Sequence, residues 1–235
     1  MAIRLDKFLA DHGFGTRSEA KKIISKGTVK VDGIIIKKAD SKINESSVVS
    51  VDDVDIVYKK FVYYLMNKPA GYLSATKDNH QPVVLDLIKD YRKRLSIVGR
   101  LDKDTEGALL LTNDGKLHHY LLSPEKKVNK KYYAILDKAL PENAKEILEN
   151  PIEFKEFKTR GSMFEKIDYN SAYLTIWEGK YHQVKRMFEK IGCKVTYLKR
   201  VEFAGLNVDD LKTGEYRELT KDEIENITKY KNKNL

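Results

Sequence analysis

The stretch SIVGRLDKDTEGALLLTNDG, Ser96 to Gly115, constrains the fold more than any other part of the chain. Two apolar segments, Ile97-Val98 and Ala108 to Leu111, read as buried strands. Between them stand Arg100, Asp102, Lys103, Asp104 and Glu106, and after them comes a turn at Asn113-Asp114-Gly115. Charge wedged between two buried strands has two readings. It is a structural ion-pair turn, or it is a carboxylate placed for chemistry beside basic residues.

Other chemistries find no support. Gly99 and Gly107 are too far apart for a phosphate loop, and no Gly-Lys-Ser/Thr follows. His118 and His119 are adjacent on a helix and point in different directions, so they do not make a metal site. One cysteine, Cys193, excludes an intramolecular disulfide and a cysteine-based metal centre. No Ser-His-Asp arrangement is suggested.

The rest of the 235 residues divides in two. Residues 1–58 read as a small module. Leu5, Phe8 and Leu9 fall at helical spacing, with Gly13 as a stop. Thr16 and Glu19 form a capping-box pattern ahead of a second helix, which Gly27 ends. Val29 and Val31, then Asp32-Gly33, then Ile34 to Ile36 read as a hairpin. SSVVSVDDVDIV supplies one or two more strands. Residues 1–38 hold nine Lys/Arg and four Asp/Glu, whereas residues 39–58 hold one and five. Positive charge therefore gathers on the helices and hairpin, where Arg17, Lys21 and Lys22 suit phosphate contacts. An ordinary solvated helix face gives the same pattern. The net charge of +9 leaves a polyanionic partner and an unremarkable basic protein equally open.

Residues 59–235 alternate strands and helices without a sustained βαβ rhythm. The expected class is α+β, with a mixed, largely antiparallel sheet flanked by helices. FVYYLMNKPAGYLSATKD reads as a strand, a turn and a second extended piece, and PVVLDLIKDY as a short helix. GKLHHYLLSP is a helix capped by Asp114, and PENAKEILEN a helix with Pro141 near its start. Val184, Met187, Phe188 and Ile191 mark another helix, and AYLTIWEG, KKYYAILD, VTYLKRVEFAGL and GEYRELT are strands. The polar tail TKDEIENITKYKNKNL is expected to fray. MAIRLDKFLADHG lacks the apolar core of a secretion signal, and no apolar run approaches membrane-spanning length. A soluble monomer in a reducing, cytoplasmic setting is the expectation.

GRLDKDTEGALLLTNDG resembles the signature of bacterial pseudouridine synthases that modify ribosomal RNA. LMNKPAGYLS, NKKYYAIL and EGKYHQVKRMF agree with that family in order and spacing. Residues 3–51 resemble the RNA-binding module first named from ribosomal protein S4. YHQVKRMF is most similar to the small-subunit (16S) branch. Two departures stand out: Ala108 where a leucine is usual, and Lys131 where a threonine often precedes the tyrosine.

The resemblance implies isomerisation of a uridine in 16S rRNA, free or in a partly assembled small subunit. Large-subunit (23S) RNA and a non-catalytic ribosome-assembly factor are the alternatives. The product is an isomer, so no metal or cofactor is expected. Asp102 takes the catalytic role, and Arg100 holds the gap left by the flipped base. Tyr132 offers that base an aromatic face, and Lys185 stands beside the aspartate to hold it charged despite burial. The rigid NKP turn with Lys68 is expected to serve as scaffold and RNA contact, and Arg186 to contact RNA. Asp104, Glu106 and Asp114 are read as turn and cap residues, and Cys193 and Trp177 as packing residues.

Overall fold

The computed structural model describes residues 2–56, 59–89 and 95–232. The chain divides into two compact units, one of Met1–Val62 with Ile88–Leu95, the other of Tyr63–Leu87 with Ser96–Leu235.

The first unit runs β1 (Ile3–Arg4), α1 (Leu5–Asp11), α2 (Arg17–Lys26), β2 (Val29–Val31), β3 (Ile34–Ile35), β4 (Lys42–Ile43), β5 (Val49–Val51) and β6 (Val54–Ile56). Strands β3-β2-β5-β6 form one antiparallel sheet, and β1 pairs with β4. The capping box at α2 is complete: Thr16 Oγ1 accepts from the Glu19 amide, and the Glu19 carboxylate accepts from the Thr16 amide. Asp32-Gly33 turns the hairpin with both residues at positive φ, as a two-residue loop demands. Leu5, Leu9, Ala20, Ile24, Val29 and Val49 close the core with no exposure.

Asp6 lies in this module with its carboxylate fully buried against the guanidinium groups of Arg4 (2.9 Å) and Arg17 (3.2 Å). The Arg4 bond holds the Asp6 carboxyl down at about 2, against the cost of burial. Because the folded value lies below the unfolded one, this pair stabilises the module above about pH 4. Its contribution, on the order of 1–2 kcal/mol, is lost as pH falls toward 2. Asp6→Asn should therefore lower the midpoint of urea unfolding at pH 7, and the difference from the parent chain should shrink in acid.

The second unit is built on β7 (Tyr63–Lys68), β8 (Ser96–Val98), β9 (Glu106–Thr112), α3 (Gly115–Leu122), β10 (Lys130–Leu136), α4 (Ala144–Glu149), β11 (Met163–Lys166) and β12 (Ser171–Ile176). It continues with α5 (Gln183–Lys190), β13 (Val195–Phe203), β14 (Leu206–Asn207), β15 (Tyr216–Glu218) and α6 (Lys221–Asn232). One sheet runs β11-β12-β10-β13-β9-β7-β15, with β14 added on β13 and β8 on β9. Its strand pairs are antiparallel except β13 with β9, which run parallel over two residue pairs. The α+β expectation, with a mixed and largely antiparallel sheet, is met.

That parallel seam is the pivot of the unit. Gly107 faces Arg200 there at φ +104, and a Cβ on it would stand 2.2 Å from the Arg200 carbonyl oxygen. Only glycine lets the two strands approach so closely. The charged loop enters the sheet at this seam, which places Asp102 beside β13.

Two expectations are corrected and two others are refined. The tail does not fray over residues 221–232: it forms α6, and Ile227 is fully buried beside Leu117, Leu121 and Leu219. The second extended piece after β7 makes a single bridge, between Leu73 and Val83. The PVVLDLIKDY segment is a 3-10 turn at Val84–Leu87, and its last two residues lie outside the described ones. Pro141 lies just ahead of the N-cap of α4, near the helix start as read, and its carbonyl accepts from the Ala144 amide.

Candidate active site

The site forms where the Gly99–Thr105 loop, β10, β13 and the start of α5 meet. The loop is irregular backbone, so its shape depends on bonds from outside. The NKPAGYLS segment supplies them. Ser74 Oγ donates to the Leu101 carbonyl (2.9 Å) and accepts from the Leu101 amide (3.1 Å). The Gly71 amide donates to the Lys103 carbonyl (2.8 Å), and the Thr105 amide closes a turn on the Asp102 carbonyl (3.1 Å).

Lys68 acts as scaffold and corrects the other half of its expectation. Read as an RNA contact, it is fully buried. Its ammonium donates to the carbonyls of Thr105 (2.8 Å), Pro69 (3.0 Å) and Lys103 (3.2 Å). Burial pushes it down to about 8, against the pull of the Asp104, Asp102 and Glu106 charges. The side chain fastens the second half of the aspartate loop to the NKP turn and is closed off from solvent. Lys68→Met would leave three carbonyls without their donor, at about 1–3 kcal/mol for each one that stays dry. Urea unfolding should report that loss. RNA affinity should change little.

The other wall is α5. Val184, Met187 and Phe188 turn inward, which leaves Lys185 on the face toward the loop. Gln183 fixes the entry to the helix: its Nε2 donates to Glu178 Oε1 (2.6 Å), and its Oε1 accepts from the Lys180 amide (3.0 Å). His182, at the N-cap, is held in the left-handed region at φ +50, uncommon for a residue with a side chain. Its ring stacks on Tyr181.

Asp102 stands between the two walls with its side chain 30% exposed, so it is open to solvent and not deeply buried as expected. Lys185 Nζ lies 3.6 Å from Asp102 Oδ2, and His182 Nε2 lies 3.6 Å from Asp102 Oδ1. Lys185 is closer to Asp104, at 2.7 and 2.8 Å from its two oxygens. Partial loss of water pushes the Asp104 carboxyl up, but the Lys185 bond outweighs this and holds it below its ordinary value. Asp104 is thus more than a turn residue, since it shares the lysine with Asp102. Glu106 opens β9 and accepts from the Tyr197 hydroxyl (2.8 Å), while Asp114 caps α3 through the Lys116 and Leu117 amides.

Tyr132 is buried on β10 and lines the pocket together with Asp102, Arg100, Thr105, His182 and Lys185. This pocket opens into a cleft of about 1200 Å³ that Tyr132, Asp102 and His182 also border. Arg100, Lys103, Lys130, Lys158, Arg160, Lys180 and Arg200 line the cleft against three carboxylates, which gives it a positive lining. Lys130 and Arg200, not anticipated from the sequence, are both buried. Burial pushes Lys130 down to about 8. Arg200 Nε donates to the Ala108 carbonyl (2.7 Å) across the parallel seam. Only strand alternation hinted at these two residues, because a lysine or arginine in a strand is ordinarily outward.

Arg186 is not in the cleft. Its guanidinium pairs with Glu156 (2.6 Å) and lies over the rings of Phe154 and Phe157. In the other unit Lys21 and Lys22 are exposed, and Arg17 is partly engaged by Asp6. The departures from the family pattern are benign. Lys131 alternates to the face opposite Tyr132 and meets Glu165 (3.3 Å) and the Tyr173 ring, and Ala108 is packed in the core. Among the described residues no three His, Cys, Asp or Glu side chains gather as a metal site, and no helix is long and apolar enough to cross a membrane.

Comparison with known proteins agrees with this geometry. Residues 62–190 match the family described as RNA pseudouridylate synthase, and residues 3–49 match the S4 domain. YtzG, an uncharacterised RNA pseudouridine synthase of Bacillus subtilis (strain 168), is 42% identical and covers 94% of this chain and 97% of its own. Ribosomal large subunit pseudouridine synthase B of the same organism is 38% identical (95% of each chain). Ribosomal small subunit pseudouridine synthase A of Haemophilus influenzae (strain ATCC 51907 / DSM 11121 / KW20 / Rd) is 36% identical (97% of this chain, 100% of its own). A crystal structure of a pseudouridylate synthase superimposes with a TM-score of 0.68 at 35% identity, covering 96% of this chain and 99% of that one. With an S4 domain ahead of a matched synthase domain, and relatives that align almost end to end, this chain belongs to the RNA pseudouridylate synthase family.

Proposed function

We propose that the protein converts one uridine of 16S ribosomal RNA to pseudouridine, with residues 1–58 as the RNA-binding module and 59–235 as the synthase domain. The observation that carries this reading is an ionisable aspartate, Asp102, held open to a basic cleft by a loop that Lys68 and Ser74 fasten from below. The reaction breaks the C1′–N1 bond, turns the uracil, and joins C1′ to C5. Asp102 meets C1′ as nucleophile or assists elimination. Lys185, shared with Asp104, balances charge as the uracil detaches. Tyr132 lies under the flipped base, and Arg100, exposed at the rim, fills the space the base leaves. The exposed cations of the cleft, Lys103, Lys158, Arg160 and Lys180, receive the flanking phosphates.

The similarity of YHQVKRMF to the small-subunit branch favours 16S RNA. The large-subunit relative at 38% identity supports 23S RNA as the second reading. Mapping pseudouridine in both rRNAs from a strain lacking this protein separates them. One 16S position should lose its modification, and loss confined to 23S would reverse the assignment.

The role given to the N-terminal module has its own test. Lys21→Ala with Lys22→Ala should weaken rRNA binding and lower the slope of log K against log salt by about 0.7–0.9 for each phosphate that is no longer neutralised. An unchanged slope would show that this helix face does not meet RNA.

A further inference from the structure

Joining C1′ to C5 leaves a proton on C5 that must depart before the ring regains its double bond. Asp102 faces the sugar in the proposed reaction whereas this proton sits on the base, and a lysine ammonium such as Lys185 is a donor with no acceptor site. Both oxygens of Asp104 are held by Lys185, and its carboxyl lies below its ordinary value, which makes it a poor base. Tyr132 is phenolic and buried. His182 remains. Its Nε2 stands 3.6 Å from Asp102 Oδ1, it lines the same pocket as Tyr132, and no hydrogen bond caps the helix through its side chain.

The backbone carries a second, independent mark. His182 occupies the left-handed region, where glycine or asparagine is the easier choice, and strain of this kind gathers at functional sites. The conformation sends the ring out of the helix start and onto Tyr181, with Nε2 turned to the aspartate.

We infer that His182 is the base that removes the C5 proton. The inference rests on the proposed reaction at Asp102 and adds a residue to it. Neutral Nε2 takes the C5 proton, and the C5–H electron pair becomes the C5=C6 double bond. The C6=N1 pair withdraws to N1, which takes a proton from the imidazolium or from water. The step is the same whether Asp102 forms a covalent adduct or promotes elimination.

The test uses full-length protein and rRNA transcripts carrying [5-³H]uridine, with release of tritium to water as the readout. His182→Gly relieves the backbone strain and removes a part-exposed ring, so the variant should fold as well as the parent. Tritium release should fall by about 10²–10⁴-fold, with rRNA affinity retained. Added imidazole should restore part of the rate in His182→Gly but not in His182→Asn, whose side chain fills the gap. Deuterium at C5 should slow His182→Gly more than wild type. Wild-type rate in His182→Gly, or a slow variant that imidazole does not rescue and C5 deuterium does not slow, overturns the assignment. Release that persists in Asp102→Asn would instead remove Asp102 from the reaction, and a wild-type protein releasing no tritium would sink the functional reading itself.

Discussion

Asp102→Asn should lower single-turnover pseudouridine formation by about 10⁴-fold or more, equivalent to about 5.4 kcal/mol of barrier. The amide keeps the size of the carboxylate and the Thr105 amide bond to the residue 102 carbonyl, so the loop should hold its shape. What disappears is the negative charge that the proposed reaction brings to C1′. RNA affinity should stay near that of the parent, because the proposed phosphate contacts are spread over the cleft and the N-terminal module. Quantifying the product in a preparation free of host synthases decides the matter, and retained turnover would remove Asp102 from the centre of the reaction. Asp104→Asn is the informative contrast. Asp104 is the nearer partner of Lys185, yet its side chain is 73% exposed, and an exposed pair is worth about 1 kcal/mol or less. That variant should stay within about fivefold of wild type.

Gly107→Ala should be among the most destabilising single substitutions in the chain. Its Cβ would fall 2.2 Å from the Arg200 carbonyl oxygen, in a backbone conformation that L-residues rarely adopt. Neither strand can step aside. β13 is also paired with β10, β9 is also paired with β7, and Arg200 Nε is bonded to the Ala108 carbonyl next door. The expected loss is about 4 kcal/mol or more, read from urea unfolding, with activity falling because the Asp102 loop enters the sheet at this residue. Gly115→Ala provides the control. Nothing lies within 4 Å of its added Cβ, and it sits in the first turn of α3, where alanine favours the helix. It should be neutral or slightly stabilising. Equal effects from the two substitutions would show that the parallel seam is looser than its geometry indicates.

What the sequence determined by itself is mostly local. The Thr16–Glu19 capping box, the Asp32-Gly33 hairpin, the Asp114 cap and the helical spacing of Val184, Met187 and Phe188 are each decided within a few residues, so they were legible from the letters alone. The Asp102 signature was legible too, as a resemblance, and the structure sets Asp102, Tyr132, Arg100 and Lys185 around one pocket. Charged residues whose burial depends on distant segments were not. Lys68 reads as a surface lysine beside a turn, yet carbonyls from residues 103 and 105 close over it. Arg186 reads as the twin of Lys185, but one step along a helix turns it to Glu156 and two phenylalanine rings. The polar tail reads as fraying because one apolar stripe is weak evidence, and it becomes α6 only once Leu117, Leu121 and Leu219 offer Ile227 a place. His182 stood in view inside the YHQVKRMF motif, but its left-handed backbone and its distance to Asp102 exist only when α5 and the loop are docked. Dihedral preference and hydrogen bonds between near neighbours are written in short windows of sequence. The desolvation and pairing of a charge are set by whichever residues the rest of the chain brings within a few ångströms, and those are fixed only by the completed fold.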